Sequence, residues 1–267
     1  MKKTILIFVA LTLAVSFCGC KANENINNED SNASKYTLIT VDGGDLSGDR
    51  KSNVKVDIGF GEREYWAYTN EYGQLVRVEA EEIVLQDPDN EPILSNGRYY
   101  YDEAKVTGVD NAEYDEGHVI ADSLGGVSNA YNITPQNSTL NRYGNQAYME
   151  KAIRDAGGCT NFITEITYPN NETQIPSHYK YTYTLQGNKI VDEFDNVDPD
   201  VANQSLNSVS NESSGKDIND ISSIDKNSDG MVSIKEAKAA GYKMPITKEH
   251  WLYKYMRDND GDGMVGE

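Results

Sequence analysis

Cysteine is nearly missing from this sequence. Two of its three cysteines, Cys18 and Cys20, lie in the first twenty residues, which leaves Cys159 alone in the remainder. A single thiol can form no internal disulfide and no cysteine-based zinc site. Cys159 is therefore expected to be a small buried residue. Positive charge is also scarce, with 24 Lys and Arg against 43 Asp and Glu and a net charge of −19. No part of the mature chain is basic, so a large electrostatic clamp on nucleic acid is excluded, although a small local contact site is not. Histidine occurs three times, as His118, His178 and His250. Phenylalanine is outnumbered by tyrosine, 5 to 18, a usage that suits half-buried strands. After residue 20 no apolar run is long enough to span a bilayer. What remains is a chain of 267 residues and 29.7 kDa, sufficient for one or two domains with a sizeable core.

The first residues read as a targeting segment. Met1-Lys2-Lys3 is a short basic start, and Thr4 to Phe17 is an apolar run of signal-peptide length. The run ends in Ser16-Phe17-Cys18-Gly19-Cys20, which resembles a bacterial lipobox with Phe17 where Leu is usual. Residues 1–20 are thus expected to be a lipoprotein-type signal peptide, with Cys20 lipidated and the protein exported and anchored to the outer face of the cell membrane. Ordinary secretion is the alternative. Residues 21–35, rich in Asn, Asp, Glu and Ser, read as a flexible tether.

Residues 36–195 alternate Tyr, Val, Thr and Ile with polar residues between turn signals. Strands are expected at 54–58, 63–69 and 74–85, with a turn at Asn70-Glu71-Tyr72-Gly73, and a hairpin at 178–185 and 189–194 around Gln186-Gly187-Asn188. Met149, Ala152, Ile153 and Ala156 recur at helical spacing and stop at Gly157-Gly158. The fold class expected is α+β, an antiparallel sheet with few helices. Residues 196–222 read as a linker, and residues 223–267 as a small second unit dominated by two acidic loops.

Residues 115–154 concentrate the chemistry. His118 is placed between an acidic turn (Asp115-Glu116-Gly117) and a short strand at 119–121, and is followed closely by Asn132, Asn137 and Asn141. Asn is a poor core residue and a weak hard-metal ligand, and Mg²⁺ accepts few protein ligands while keeping most of its waters. One Asn with a nearby base can therefore make a phosphodiester-hydrolysis site. At these residues the chain resembles the DNA/RNA non-specific endonucleases of the ββα-metal class. Asp115-Glu116-Gly117-His118 matches three positions of that family's Asp-Arg-Gly-His motif. Leu124-Gly125-Gly126 and Tyr131-Asn132-Ile133 match the segment between, and Leu140-Asn141-Arg142 and Tyr148-Met149-Glu150 match the following helices. The resemblance spans about 54–195 and is strongest over 113–154. It implies a ββα-metal nuclease core within the sheet.

The resemblance implies Asn141 as the Mg²⁺ (or Mn²⁺) ligand, with Asn137 as the fallback. Thr134-Pro135 reads as a helix start, with Thr as N-cap and Pro at the first position. Glu150 and Asn141 would face opposite sides of one straight helix. Two helices, about 135–142 and 146–156, are therefore expected, broken at Gly144, with Glu150 as an outer-shell group. His118 would act as general base on water. The metal would neutralise charge on the phosphate. The resemblance implies DNA and RNA as substrates and products with 5′-phosphate and 3′-hydroxyl ends. Asp115 would brace the histidine turn, and Asn132 would orient the histidine or a phosphate. Glu116 stands where the family has Arg, so Arg142 and Arg154 are the available phosphate contacts, Arg142 the better placed.

The C-terminal unit reads as a calcium module. Asp225, Asn227, Asp229, the Met231 carbonyl, Ser233 and Glu236 occupy the ligand positions of an EF-hand loop, Gly230 supplies its turn, and Val232 should pair with the partner loop. A second loop offers Asp258, Asp260, Asp262 and the Met264 carbonyl, with Glu267 as a substitute for the final carboxylate. The segment resembles extracellular Excalibur-type calcium modules, with Gly266 in place of their Cys. Trp251, Tyr253 and Tyr255, on an expected helix, read as the unit's small core. Two functional readings compete, and a third, a nuclease toxin aimed at competitors, ranks below them because no immunity partner or toxin-delivery region is visible. One is an exported metal-dependent nuclease carrying a Ca²⁺ module. The other is an inactive nuclease-like domain serving as a calcium-dependent surface-binding protein. No protein partner is evident.

Overall fold

The computed structural model describes residues 35–204 and 220–266. The expected signal peptide with Cys20, most of the tether and the terminal Glu267 lie outside the described residues. No described helix is long and apolar enough to cross a membrane.

A seven-stranded sheet in the order β1-β2-β3-β4-β7-β8-β9 carries the larger core. Its strands are β1 (Thr37–Ile39), β2 (Val54–Asp57), β3 (Tyr65–Thr69), β4 (Leu75–Ile83), β7 (Cys159–Thr167), β8 (His178–Leu185) and β9 (Asn188–Asp195). Only β1 and β2 run parallel. Alternation explains the strands: Val54, Val56 and Ile58 are buried, as are Tyr179, Tyr181 and Tyr183. The Asn70 side chain closes the β3–β4 turn by accepting from the amides of Tyr72 and Gln74 (both 3.0 Å). The β8–β9 hairpin turns on Gln186 (φ 49°) and Gly187 (φ 82°), two left-handed residues as a type I′ turn requires. Cys159 is buried and unpaired, as expected, and burial pushes its thiol up to about 12.

Tyrosine departs from the half-buried expectation. Tyr65, Tyr179 and Tyr181 are fully buried. Burial is compensated where the hydroxyl finds a partner: the Tyr65 hydroxyl accepts from the Val84 amide (2.8 Å), and that of Tyr179 bonds Thr134 Oγ1 (2.8 Å).

Beside the sheet, β5 (Tyr114–His118) and β6 (Ile133–Asn137) form a separate antiparallel pair. Two short helices follow, α1 (Ser138–Tyr143) and α2 (Asn145–Asp155), separated at Gly144. Two expectations are corrected here. The acidic turn 115–117 is strand, and 119–121 is not. The helix does not start at Thr134-Pro135, because 133–137 pairs with β5 and Thr134 is held by Tyr179. The N-cap is Asn137, whose side chain accepts from the Leu140 amide (3.1 Å). That cap bond occupies one lone pair of the Asn137 Oδ1.

The start of the expected linker is packed structure. Asn196 and Asn203 are buried. Asn196 donates to the carbonyls of Pro135 and Pro176 (both 2.9 Å) and accepts from the Asn137 amide (2.8 Å). Residues 199–204 are helical. The C-terminal unit has its own core of Ile224, Val232, Ala237, Met244, Ile246, Leu252, Met256 and Val265. Trp251, Tyr253 and Tyr255 pack against it, although Tyr253–Tyr255 is a single 3-10 turn rather than a helix. Helix α3 (Ile234–Ala239) follows the first acidic loop. The short strands β10 (Ile246–Thr247) and β11 (Met264–Val265) pair with each other. Val232 accordingly does not pair with the second loop; its amide donates to the Tyr255 carbonyl (2.7 Å).

Candidate active site and acidic loops

Strand β5 ends at His118, and its close pairing with β6 depends on Gly117. A Cβ at 117 would lie 2.5 Å from Gln136 Cβ, which is backed by the strand pairing. Beyond His118 the chain leaves the strand and is pinned by Asn132. That amide is fully buried. Its Oδ1 accepts from the Ile120 amide (2.9 Å), and its Nδ2 donates to the carbonyls of Ile120 (2.8 Å) and Val127 (2.6 Å). Asn132 therefore has no free group for histidine or phosphate, which corrects the expected contact. Its role is to shape the loop after His118.

That loop carries Asp122, a residue the sequence reading missed. Asp122 Oδ1 accepts from the Tyr99 amide (2.9 Å), and Oδ2 lies 3.4 Å from His118 Nε2. Nε2 itself is buried without a hydrogen-bond partner among the described residues. The His118 side chain is 12% exposed. Burial lowers its pKa, and the Arg98 charge acts in the same direction against the opposing carboxylates of Asp122 and Glu116. The imidazole is therefore held neutral at physiological pH, the form a general base needs.

Asp115 ties α1 to β5. It accepts from Arg142 Nε (2.8 Å) and Nη2 (2.6 Å), Asn141 Nδ2 (3.2 Å) and Ser138 Oγ (3.2 Å). Burial opposes ionisation there, yet these donors, Arg142 foremost, hold Asp115 below the usual carboxylate range. Arg142 is thus engaged by Asp115, although its side chain stays exposed. Asn141 spends its Nδ2 on Asp115 and keeps Oδ1 without a protein donor among the described residues. That leaves a neutral hard oxygen, suited to a divalent cation.

The break at Gly144 turns α2 so that Glu150 joins His118. Gln146, buried on α2, donates to the His118 carbonyl (3.1 Å) and to Glu150 Oε1 (2.8 Å). Arg154 Nη1 donates to Ser123 Oγ (3.2 Å) and lies 3.7 Å from Glu150 Oε2. Burial, helped by the nearby Asp122, pushes Glu150 up to about 7 against the pull of Gln146 and Arg154.

This shift has a testable sign. The folded pKa stands above the ordinary 4.5, so the protonated group's stability is full below pH 4.5 and lost as pH rises to about 7. In chelator at pH 8, Glu150→Gln is expected to stabilise the protein by on the order of 2–3 kcal/mol. The gain should vanish near pH 4 in urea-unfolding midpoints. A pH-independent difference would mean that Glu150 is solvated.

The structure thus gathers His118, Glu150 and Arg154 around Gln146 and Asp122. Asn141 and Arg142 of α1 form a second group with Asp115 of β5. Sequence reading missed Asp122, Gln146, Arg98 and Lys105. Asp122 stands four residues beyond His118, and Gln146 four before Glu150, so spacing alone could have raised both. Arg98 and Lys105 belong to the irregular segment before β5, which has no periodicity to read. Lys105 Nζ bonds Glu116 and Asp102 (both 2.8 Å), so a cation accompanies the carboxylate that departs from the motif.

The two acidic loops of the C-terminal unit fold alike. In the first, Asp225 Oδ2 accepts from the Gly230 amide (2.9 Å), Asn227 Oδ1 from that of Asp229 (3.1 Å), and Asp229 Oδ1 from that of Met231 (2.8 Å). In the second, Asp258 Oδ2, Asp260 Oδ1 and Asp262 Oδ1 accept from the amides of Gly263 (3.0 Å), Asp262 (3.3 Å) and Met264 (2.8 Å). Asp258, Asp260 and Asp262 each present an oxygen within 4.8 Å of the others. Glu236 closes the first loop, accepting from the amides of Lys226 and Ser233 (both 2.9 Å), and forms a capping box with Ser233 at the start of α3.

The sequence model of the DNA/RNA non-specific endonuclease family matches residues 52–187, half of the chain and all of the site around His118. The chain belongs to this family of nucleases. Among solved structures it is similar to NucA from Streptococcus agalactiae. The form with magnesium bound is 15% identical, with a TM-score of 0.37, and the match covers 52% of this chain and 72% of that one. The form with no metal bound is 16% identical, with a TM-score of 0.38 over 58% and 76%. No curated protein matches the chain.

Proposed function

We propose that this protein is an exported, surface-anchored, metal-dependent endonuclease that hydrolyses phosphodiester bonds in DNA and RNA and carries a calcium-binding C-terminal unit. The observation that carries the reading is His118, neutral and half-buried at the end of β5, with Asp122 3.4 Å from its Nε2 and Asn141 tied to the same strand through Asp115. Asp122 Oδ2, 3.4 Å from Nε2, stabilises the imidazolium that forms when the neutral ring takes a proton from the attacking water. Arg154 supplies positive charge beside Glu150, where a phosphate oxygen can be met. Asn141 Oδ1, with Glu150 as an outer-shell group, fits a Mg²⁺ or Mn²⁺ ion, which would supply charge neutralisation at the phosphate and leaving oxygen. Water is the nucleophile, so the 2′-hydroxyl is not needed and DNA and RNA both qualify as substrates.

Calcium is assigned to the first loop through Asp225, Asn227, Asp229, Met231, Ser233 and Glu236, and to the second through Asp258, Asp260, Asp262 and Met264. The convergent oxygens of the second loop and the matching amide pattern of the first support this donor set. Cys20 is the proposed lipidation site.

The test uses residues 21–267 with supercoiled plasmid and with RNA, in Mg²⁺, in Ca²⁺ alone and in chelator. Cleavage of both substrates is expected only with a metal that serves the His118 site, and neither His118→Ala nor Asn141→Ala should retain it. The second reading, an inactive surface-binding protein, draws on Glu116 in place of Arg and on the net charge of −19. No cleavage by the native chain with any metal would decide for it.

A further inference from the structure

The family's reaction needs a polyanion to approach an acidic protein, and the distribution of unpaired cations says where. In the larger unit, Arg63, Arg77, Arg98, Lys105, Arg142, Lys151, Arg154 and Lys180 sit in ion pairs, while Lys35, Arg50, Lys51, Lys55 and Lys189 do not among the described residues. In the C-terminal unit the cations are denser, and none is ion-paired among the described residues. Lys226, Lys235, Lys238, Lys243, Lys248, Lys254 and Arg257 are all exposed. Lys238 Nζ lies 4.0 Å over the Tyr148 ring of α2. Together with Lys243 it borders a cleft of about 210 Å³, whose wall includes Asn145 and Tyr148 of α2 and Asp192 of β9. Asp192 already accepts from the Tyr183 hydroxyl (2.7 Å).

The position of this surface is fixed. Thr139 of α1 donates to Asp198 (2.9 Å), Thr247 donates to Asp200 (2.9 Å), and Asn203 exchanges two hydrogen bonds with the Lys243 backbone (2.8 and 2.9 Å). Segment 196–204 therefore clamps the C-terminal unit beside the helix that bears Asn141. Calcium sets the sign of its charge. Residues 223–267 hold eight acidic and seven basic side chains, a net of −1, and six of the eight acids are loop carboxylates. Two bound Ca²⁺ ions take the unit to +3, and of its cations Lys238 faces a carboxylate of the larger unit, Asp192 across the cleft.

We infer that the calcium-loaded C-terminal unit is the nucleic-acid docking surface of the protein, with Lys238 and Lys243 contacting the phosphate backbone of a polynucleotide that crosses the α1–α2 junction. The inference rests on the nuclease reading for its substrate but not for its test. Phosphate contacts by lysine are sequence-independent and salt-sensitive, as a non-specific enzyme requires.

The experiment measures binding of a fluorescent duplex oligonucleotide by anisotropy, using residues 21–267 carrying His118→Ala so that nothing is cut. Ca²⁺ is expected to raise affinity about tenfold or more. Lys238→Glu with Lys243→Glu should remove that gain and lower the salt slope by about 2, one unit per lost phosphate contact. Lys189→Glu, at an exposed lysine on β9, is the charge control and should change nothing. Equal Ca²⁺-induced thermal shifts in all variants would exclude misfolding. Affinity indifferent to calcium or to the lysine pair would overturn the inference, and so would calcium-dependent binding to anionic vesicles in place of DNA. Plasmid cleavage by the native chain, scored separately, reports on the nuclease reading alone.

Discussion

His118→Ala is expected to lower plasmid cleavage by about 10²–10⁴-fold, the contribution a positioned general base makes. The family-matched segment has two imidazoles, and the other, His178, lies on β8 paired with Asp195 (2.8 Å). The neighbours of His118 cannot replace it. Glu150 is pushed up to about 7 by burial but is engaged by Gln146, and Asp122 is engaged by the Tyr99 amide. The fold should survive, because β5 is held by backbone pairing with β6 and by Asp115 rather than by the imidazole. A near-native circular dichroism spectrum with lost cleavage, partly restored by added imidazole, would support the role. The native pH profile should also be informative. Burial lowers the His118 pKa from its ordinary 6.5, so the acid limb of the rate should fall below that value. An acid limb above it, or cleavage retained by the alanine variant, would remove His118 from the chemistry.

Much of the frame was legible because it rests on local periodicity. Strict alternation located β2, β3, β4, β8 and β9 to within a few residues, and Gly144 marked the break that lets Glu150 turn towards His118. The failures share a cause: tertiary partners outvoted local signals. Thr134-Pro135 has the chemistry of a helix start, but Tyr179 takes the threonine hydroxyl and β5 takes the backbone, so the cap moves to Asn137. Asn132 carries the composition of a site residue, yet long-range backbone groups saturate it. Arg142 looked free for phosphate because nothing in the sequence announces its pairing with Asp115 across the strand. The residues that tune His118, namely Asp122 and Arg98, act through proximity that only the folded chain creates. Segment 196–204 was misjudged for the opposite reason: its polar composition conceals four asparagine and aspartate clamps, at Asn196, Asp198, Asp200 and Asn203.

Asn132→Ala should cost about 3–5 kcal/mol of stability, a large share of the 5–15 kcal/mol typical of a domain. The side chain is fully buried, and its loss would strand three backbone groups, the Ile120 amide and the carbonyls of Ile120 and Val127. Ile120 and Val127 are themselves buried, so water cannot compensate. Each unpaired group costs roughly 1–3 kcal/mol, partly recovered by relaxation. Asn132→Asp separates this bracing role from a substrate contact. The carboxylate would keep the bond from the Ile120 amide but set an oxygen against two carbonyls. Its pKa in the folded state must rise above the unfolded value, so stability is retained in acid and falls as pH increases through that range. A phosphate-contacting Asn132 would instead lose substrate affinity with little change in urea midpoint. A midpoint that drops in Ala, and drops with rising pH in Asp, would identify the residue as the brace that holds Asp122 against His118.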